Sequence, residues 1–398
     1  MVDFSVFCVA QILFMRNLLA MALLISAGAF AQNFNDRIIN PAVPFLTIPS
    51  DARASGMGDT GIVTAPDVYS IRWNPAKLAF VPWEQQIGVG YTPYLESVIT
   101  DINLLSGVYA KRIDDRSAFS LGLRYFTLGE IELRQFASDP GALAKPNEIA
   151  IEGAYALQLS PFFSMSVGGR YVRSNLKIPQ STQVDTRAAQ TFAVDISAYR
   201  QGPWLPKQGH DGRWVWGFNL SNLGPKIAYD STGESLFIPT NLGVGIGYDW
   251  DYGPDSRLSW VFELNKLMVP TPKDLNDDGF VDGTDLSLYQ DIDFFSGALR
   301  SFGDAPGGIS EELKEVVWST GLEYVVFQRL AMRAGYLSEH RDKGFRKYVT
   351  LGAGFGLKNA QIDLAYLIST AQVRNPLENT LRFSVSFDLS SLGSGAGL

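Results

Sequence analysis

Leu381-Arg382-Phe383-Ser384-Val385-Ser386-Phe387-Asp388-Leu389 carries an apolar side chain at every odd position and a charged or hydroxyl-bearing one at every even position. Successive side chains of a strand point to opposite faces, so the stretch reads as one strand between an apolar and a polar environment. The same parity recurs upstream in Ile87-Val89-Tyr91, Phe119-Leu121-Leu123-Tyr125, Ile149-Ile151-Gly153-Tyr155, Trp214-Trp216-Phe218-Leu220, Leu242-Val244-Ile246-Tyr248 and Leu258-Trp260-Phe262-Leu264. In a soluble sandwich the apolar parity would face a core; in a membrane barrel it would face lipid. Periodicity alone does not separate the two.

Connection lengths do. The alternation predicts about fourteen strands, starting near residues 84, 98, 117, 147, 162, 190, 213, 240, 256, 316, 330, 347, 360 and 379. Short links at 113–116, 160–161, 252–255, 328–329 and 358–359 alternate with long ones at 129–146, 176–189, 223–239 and 267–315. Tight periplasmic turns facing extended outer loops are the habit of outer-membrane barrels, and a sandwich has no reason to show it. The connection 201–212 departs from the rule, being on the short side yet about a dozen residues long. The expected fold is therefore all-β: a transmembrane antiparallel barrel with both mature termini on the periplasmic side.

Composition agrees. Apolar residues reach 46% and aromatics 12%, while charged residues are only 19%, under the usual quarter. After the N-terminus no run approaches the roughly 18 apolar residues of a spanning helix. The net charge of -8 is unchanged by removing residues 1–31, because Asp3 and Arg16 leave together. An acidic chain without a basic stripe argues against nucleic acid as a partner.

At the N-terminus Arg16 precedes the apolar run 18–25 and an Ala29-Phe30-Ala31 site, the pattern of a cleaved signal peptide covering residues 1–31. Met15 is a candidate initiator. The single cysteine, Cys8, falls in the removed part, leaving no thiol for a disulfide or a metal. Residues 32–83 do not alternate and are rich in Pro, Gly, Ala and Asp, with Asn74-Pro75-Ala76 after a short helical stretch. They form either a plug folded in the lumen, turned or capped at Asn74, or a periplasmic tail. The barrel then spans 84–389, including a long outer loop at 267–315, and 390–398 is a C-terminal tail.

Two segments carry a family resemblance. Residues 52–80, ARASGMGDTGIVTAPDVYSIRWNPAKLAF, and residues 301–315, SFGDAPGGISEELKE, resemble the PorV family, outer-membrane components of the type IX secretion system of Bacteroidetes. The wider plan is similar to FadL-like transporters of hydrophobic substrates, to which the NPA motif alone also points. The resemblance implies an outer-membrane protein of a Bacteroidetes-like Gram-negative bacterium. It implies that the barrel binds secreted cargo by its C-terminal domain at the translocon and presents it to a surface complex that attaches it to lipopolysaccharide. No enzymatic activity is implied for this component.

One ligand motif stands out. Asp274, Asn276, Asp278, Asp282 and Asp285 have the spacing of a calcium loop, with Gly279 at the turn, the Phe280 carbonyl as a further ligand and Val281 as apolar anchor. Asp285 in place of Glu weakens bidentate binding, and the alternative is a solvated acidic loop. A bound Ca2+ would be structural. Beyond it, Asp304, Ala305, Pro306, Gly307 and Gly308 are the candidate partner-binding turn, and Ser310 is the expected N-cap of a short helix leading into strand ten.

Catalysis finds little support, because His210 and His340 lie in separate connections and in no HExxH or triad-like context. Gly243-Val-Gly245-Ile-Gly247 and Gly352-Ala-Gly354-Phe-Gly356 have period two, so they are strand positions against a plug or crowded lumen, not phosphate loops. Arg124, Arg170, Arg173, Asp195, Glu263, Glu323, Arg333, Asp363 and Arg382 should point inward and pair, since an Arg or Lys facing lipid at mid-depth costs about 2–4 kcal/mol. Two functions remain: a cargo-handling secretion component, and a transporter of hydrophobic small molecules. The long loop favours the first.

Overall fold

Fourteen long strands close on themselves in a computed structural model that describes residues 38–94, 101–133, 142–176, 188–229, 235–254, 256–276, 283–371 and 380–390. They are β1 Gln85–Pro93, β2 Ile102–Arg112, β3 Ser117–Leu128, β4 Asn147–Ser160, β5 Phe163–Asn175, β6 Ala189–Gln201 and β7 His210–Leu223. The second half is β8 Asn241–Asp251, β9 Ser256–Leu267, β10 Val316–Val326, β11 Leu330–Ser338, β12 Lys347–Gly356, β13 Ala360–Ser369 and β14 Leu381–Asp388. Each pairs antiparallel with its chain neighbours, and β1 pairs with β14 through registers such as Val89 with Val385, so the sheet has no open edge. Closure matters because an unpaired strand edge has no hydrogen-bond partner in hydrocarbon. Among the described residues no helix is long and apolar enough to cross a membrane.

The faces are inverted relative to a soluble sandwich. On β3, Leu121 and Leu123 are 55% and 49% exposed, while Arg124 between Leu123 and Tyr125 is 1% exposed. β14 repeats this, with Leu381, Phe383 and Phe387 outside and Arg382, Ser384 and Ser386 buried. Large apolar side chains stand outward around the ring as a lipid-facing band, and the polar parity fills the interior. One expectation fails by parity: Arg173 is exposed, because it sits three residues from the inward Arg170 and so falls on the opposite face.

An even number of strands brings the start of β1 and the end of β14 to the same end as the short turns. The seam is tied there, with the Leu389 N–H donating to the Gln85 carbonyl and the Glu84 N–H to Ser390 Oγ. The dozen-residue exception at that end is a small hairpin, in which Leu205–Lys207 folds back on the first residues of β7. The signal-peptide reading of 1–31 and most of the tail, 391–398, lie outside the described residues.

Residues 38–83 hydrogen-bond around the ring. They reach Ser106 on β2, Arg124 on β3, Ser164 on β5, Ser197 on β6, Glu263 on β9, Glu323 on β10, Thr350 on β12 and Ser384 on β14. A segment touching so many strands of a closed ring occupies its interior. It begins near the long-loop end, where the Ala42 N–H donates to Phe237 O, so the expectation of a periplasmic N-terminus does not describe where this segment starts.

Candidate functional site

Two regions concentrate unusual chemistry: the plug in the lumen and the structure above the long-loop end. The plug is built from four short helices, Pro44–Thr47, Ala52–Ser55, Ser70–Trp73 and Pro75–Phe80, none longer than six residues. Helices this short do not hold themselves together. Side chains hold them instead. Asp51 caps the second, accepting from the Ala54 N–H at 2.8 Å and from Trp73 Nε1 at 2.6 Å.

Asn74-Pro75-Ala76 works as a unit. Asn74 Oδ1 accepts from the Ala76 N–H at 3.1 Å, while its Nδ2 donates at 3.0 Å to both Ile62 O of the plug and Ala198 O of β6. Proline suits the first position of the next turn because it has no N–H to satisfy there. Ala76 is fully buried, with its N–H and carbonyl bound to Ser197 and Ser164 of the wall. The motif is thus a joint between plug and barrel.

Close approach requires small wall residues. A Cβ on Gly352 would lie 3.0 Å from Gly56 Cα, and one on Gly245 would lie 3.0 Å from Val63 Cγ1. Gly243 likewise meets Ile62 of the plug, whereas Gly247, Gly354 and Gly356 of the same runs are crowded by wall residues. Nearer the long loops the interior turns apolar. Val43, Phe45 and Leu46, all at 0% exposure, pack there against Leu104, Phe126, Val172 and Leu337 of the wall.

Between these zones runs a buried charge network. Arg333 binds Glu323 at 2.6 Å and Asp363 at 2.7 Å, and Glu323 also takes Arg53 of the plug at 2.8 Å. Arg382 binds Asp59 of the plug at 2.9 Å, and the Tyr348 hydroxyl donates to the same carboxylate. Glu263 accepts from the plug N–H groups of Gly61, Ile62 and Val63 at 3.1, 2.7 and 3.2 Å. Sequence parity found most of the wall members. It missed Glu152 on β4, which sits between Arg124 and Arg170, and the plug partners, which carry no period.

At the long-loop end, the connection between β9 and β10 carries helices Gly283–Asp291, Phe294–Arg300 and Ile309–Glu312. Its base is pinned by lysines. Lys266 binds Glu312 at 3.0 Å and Glu315 at 2.5 Å, while Lys343 from the connection between β11 and β12 binds Glu311 at 2.8 Å and Glu315 at 2.9 Å. Burial by itself would raise the Glu315 carboxyl, but hydrogen bonds from Lys266, Thr271 and Lys343 hold it below the usual glutamate range.

The candidate partner turn is partly consumed by this base. Asp304 accepts from the Thr271 N–H at 3.1 Å, buried Ala305 donates to Glu312 at 2.8 Å, and Gly307 donates to Glu311 at 2.8 Å. Pro306, Gly307 and Gly308 are exposed. The short helix before β10 exists, but Gly308, at φ 66°, stands at its N-cap in place of Ser310. The reason is that Gly308 can take the positive φ that the turn demands.

Of the calcium motif, Asp274, Asn276 and Asp285 are described, while Asp278, Phe280 and Asp282 lie outside the described residues. Asp285 is buried and accepts from the N–H groups of Leu275 at 2.6 Å and Asn276 at 3.2 Å. That contact brings the last position of the motif to its second and third. His210 and His340 stand at opposite ends of the barrel, one at the start of β7 and the other in the connection between β11 and β12.

Above the pinned base, Phe295, Leu299, Ile309 and Leu313 are 52%, 58%, 81% and 68% exposed. They are loop residues, beyond the strands whose apolar side chains face lipid.

Comparison with known proteins bears on both regions. Among solved structures the chain is similar to a deltaS2S3 mutant of the monoaromatic hydrocarbon channel TodX, at 12% identity and a TM-score of 0.50, covering 85% of this chain and 98% of that one. It is also similar to a FadL homologue of Pseudomonas aeruginosa, at 13% identity and a TM-score of 0.42, covering 86% and 99%. At such identity the TodX likeness shows the fold alone. A search of curated proteins found no match. A family model described as type IX secretion system protein PorV matches residues 31–274, taking in the plug and β1 to β9 but ending before residues 301–315. With more than half of its length matched and a closed outer-membrane barrel of fourteen strands, the chain belongs to the PorV family of type IX secretion proteins.

Proposed function

We propose that this protein receives secreted cargo at its long-loop face, through the cargo's C-terminal domain, and passes it from the type IX translocon to the surface complex that attaches it to lipopolysaccharide. The observation that carries this reading is the pinned outer loop, which holds Phe295, Leu299, Ile309 and Leu313 out into solvent. Exposed large apolar groups on a structured base are the usual form of a protein-binding surface. The reading assigns the chain positioning and no catalytic step. A calcium ion held by the motif at 274–285 would stiffen the same loop by relieving repulsion among its carboxylates.

Movement of hydrophobic compounds through the lumen is the competing reading. The packing of Val43, Phe45 and Leu46 weighs against it, since a passing molecule would have to displace buried side chains of the chain itself. The test is capture of the protein from detergent-solubilised outer membrane. Co-recovery of several proteins that share a C-terminal β-domain is the expected result. A bound fatty acid with no such protein would replace the proposal with transport.

A further inference from the structure

The small hairpin at the short-turn end extends the lipid-facing side of the barrel. Leu205–Lys207 runs on past the end of β6 and pairs with the first residues of β7, Leu205 opposite Gly212 and Lys207 opposite His210. Residues directly opposite each other share a face, and every second residue of a strand returns to it. On β7 that face is the one of Trp214 and Trp216, both exposed. Leu205 and Lys207 therefore stand on the side of the apolar band, beyond its periplasmic edge.

Tryptophan is concentrated here. Four of the chain's eight, Trp204, Trp214, Trp216 and Trp250, lie in the hairpin and the ends of β7 and β8, and indole rings favour the level where membrane meets water. Tyr248 packs edge-on against Trp214 and Trp250, with centroids 4.8 and 4.7 Å apart. Its hydroxyl lies across Gly212, where a Cβ would meet it. On the Tyr248 ring rests the Lys207 ammonium, 5.0 Å from the centroid.

Two cations of this sector lack a counter-charge. Arg213 and Arg257, which flank Trp204, are bound to Asp249 and Asp251 at 2.7 and 2.9 Å. Lys207 has only the Tyr248 ring. Arg200 of β6 is exposed on the same parity as the lipid-facing Phe192, Val194 and Ile196, and neither cation belongs to an ion pair among the described residues. Arg200 stands opposite Trp216, while Lys207 reaches the ring opposite Trp214, two residues and roughly 7 Å further along β7. A charge on the lipid-facing parity is tolerated where it reaches headgroup level. The counter-charge present there is phosphate, which suits the forked donors of arginine.

We propose that this sector seats one glycerophospholipid of the periplasmic leaflet, with its phosphate between Arg200 and Lys207 and an acyl chain along Trp214 and Trp216. The two cations supply the charge complementarity, and the seat is continuous with the surface that already meets lipid. It fixes the barrel at the inner leaflet, independently of what the outer loop binds.

The experiment is native mass spectrometry of the full mature protein in detergent, titrated with phosphatidylglycerol. A first lipid adduct is expected in the parent, and its apparent affinity should fall about tenfold when Arg200→Gln and Lys207→Gln are combined. Lys111→Gln, which removes a cation from β2 near another short turn, should leave that adduct unchanged. Arg200→Lys should retain it, and heat-modifiable migration of every variant separates loss of binding from loss of the barrel. Undiminished binding in the double variant, or an equal fall in Lys111→Gln, overturns the seat. In cells, a photoreactive benzoylphenylalanine at Leu205 should cross-link to phospholipid; a discrete protein adduct in its place would overturn the proposal by assigning the face to a protein partner.

Discussion

The lumen and the outer loop invert each other's economy of polar and apolar groups. In the lumen, most arginines, aspartates and glutamates are buried and bound to one another or to plug backbone, so the plug is held largely by ion pairs and hydrogen bonds made within the chain. Above the barrel, the charged groups of Lys266, Lys343, Glu311, Glu312 and Glu315 form the base, and the apolar side chains are the ones left facing water. The difference teaches which surface calls for another molecule. Most charged groups of the interior are bound by the chain itself, while the loop leaves large apolar side chains exposed.

That contrast can be broken from either side. The largest effect on stability is expected from Arg333→Ala, which leaves the Asp363 carboxylate with only the Gln361 amide and Glu323 with Arg53 alone. Breaking a buried pair in this way costs about 3–5 kcal/mol. The measurement is the unfolding midpoint of the barrel by heat-modifiable migration, and an unchanged midpoint would mean that the network is not what stiffens the wall.

Glu263→Gln probes the plug more gently. It keeps one carbonyl for Ile62 and Val63 but sets an amide donor against the Gly61 N–H. The expected cost is about 1–3 kcal/mol, enough to raise the frequency of plug openings seen as conductance steps in planar bilayers. Closed traces indistinguishable from the parent would place the hold on the plug elsewhere.

On the loop the expectations reverse. Ile309→Ser combined with Leu313→Ser should change barrel stability by no more than about 0.5 kcal/mol, because both side chains are exposed. Binding of a purified cargo C-terminal domain should weaken at least about tenfold, the equivalent of 1.4 kcal/mol. Lost stability with intact binding would contradict the division of labour drawn here. The smallest effect is expected from Asp274→Ala. It should lower calcium affinity of the loop in titration calorimetry and leave the barrel midpoint unchanged, and undiminished calcium binding would remove the ion from the account.

Much of this was legible in the sequence because strands in a barrel obey a local rule. Lipid and lumen alternate at every residue, so the parity of Leu381 to Leu389 announces its own environment, and the short and long connections announce the two ends. Inward glycines were readable for the same reason. The hairpin at 205–212 was not, because three residues of strand leave no periodic trace. Gly308 at the helix start was hidden behind Ser310, since side-chain preference for the cap gave way to a turn that requires positive φ.

The amino-acid sequence by itself determined the number of strands, the face each presents to lipid, the loop that grows long, and the family, because each depends on neighbours along the chain. Only the tertiary structure decided that Lys266 and Lys343 share Glu315 and that Glu152 lies between Arg124 and Arg170. Those meetings depend on the register at which the sheet closes and on how the aperiodic plug settles within it, and neither is written in any local period.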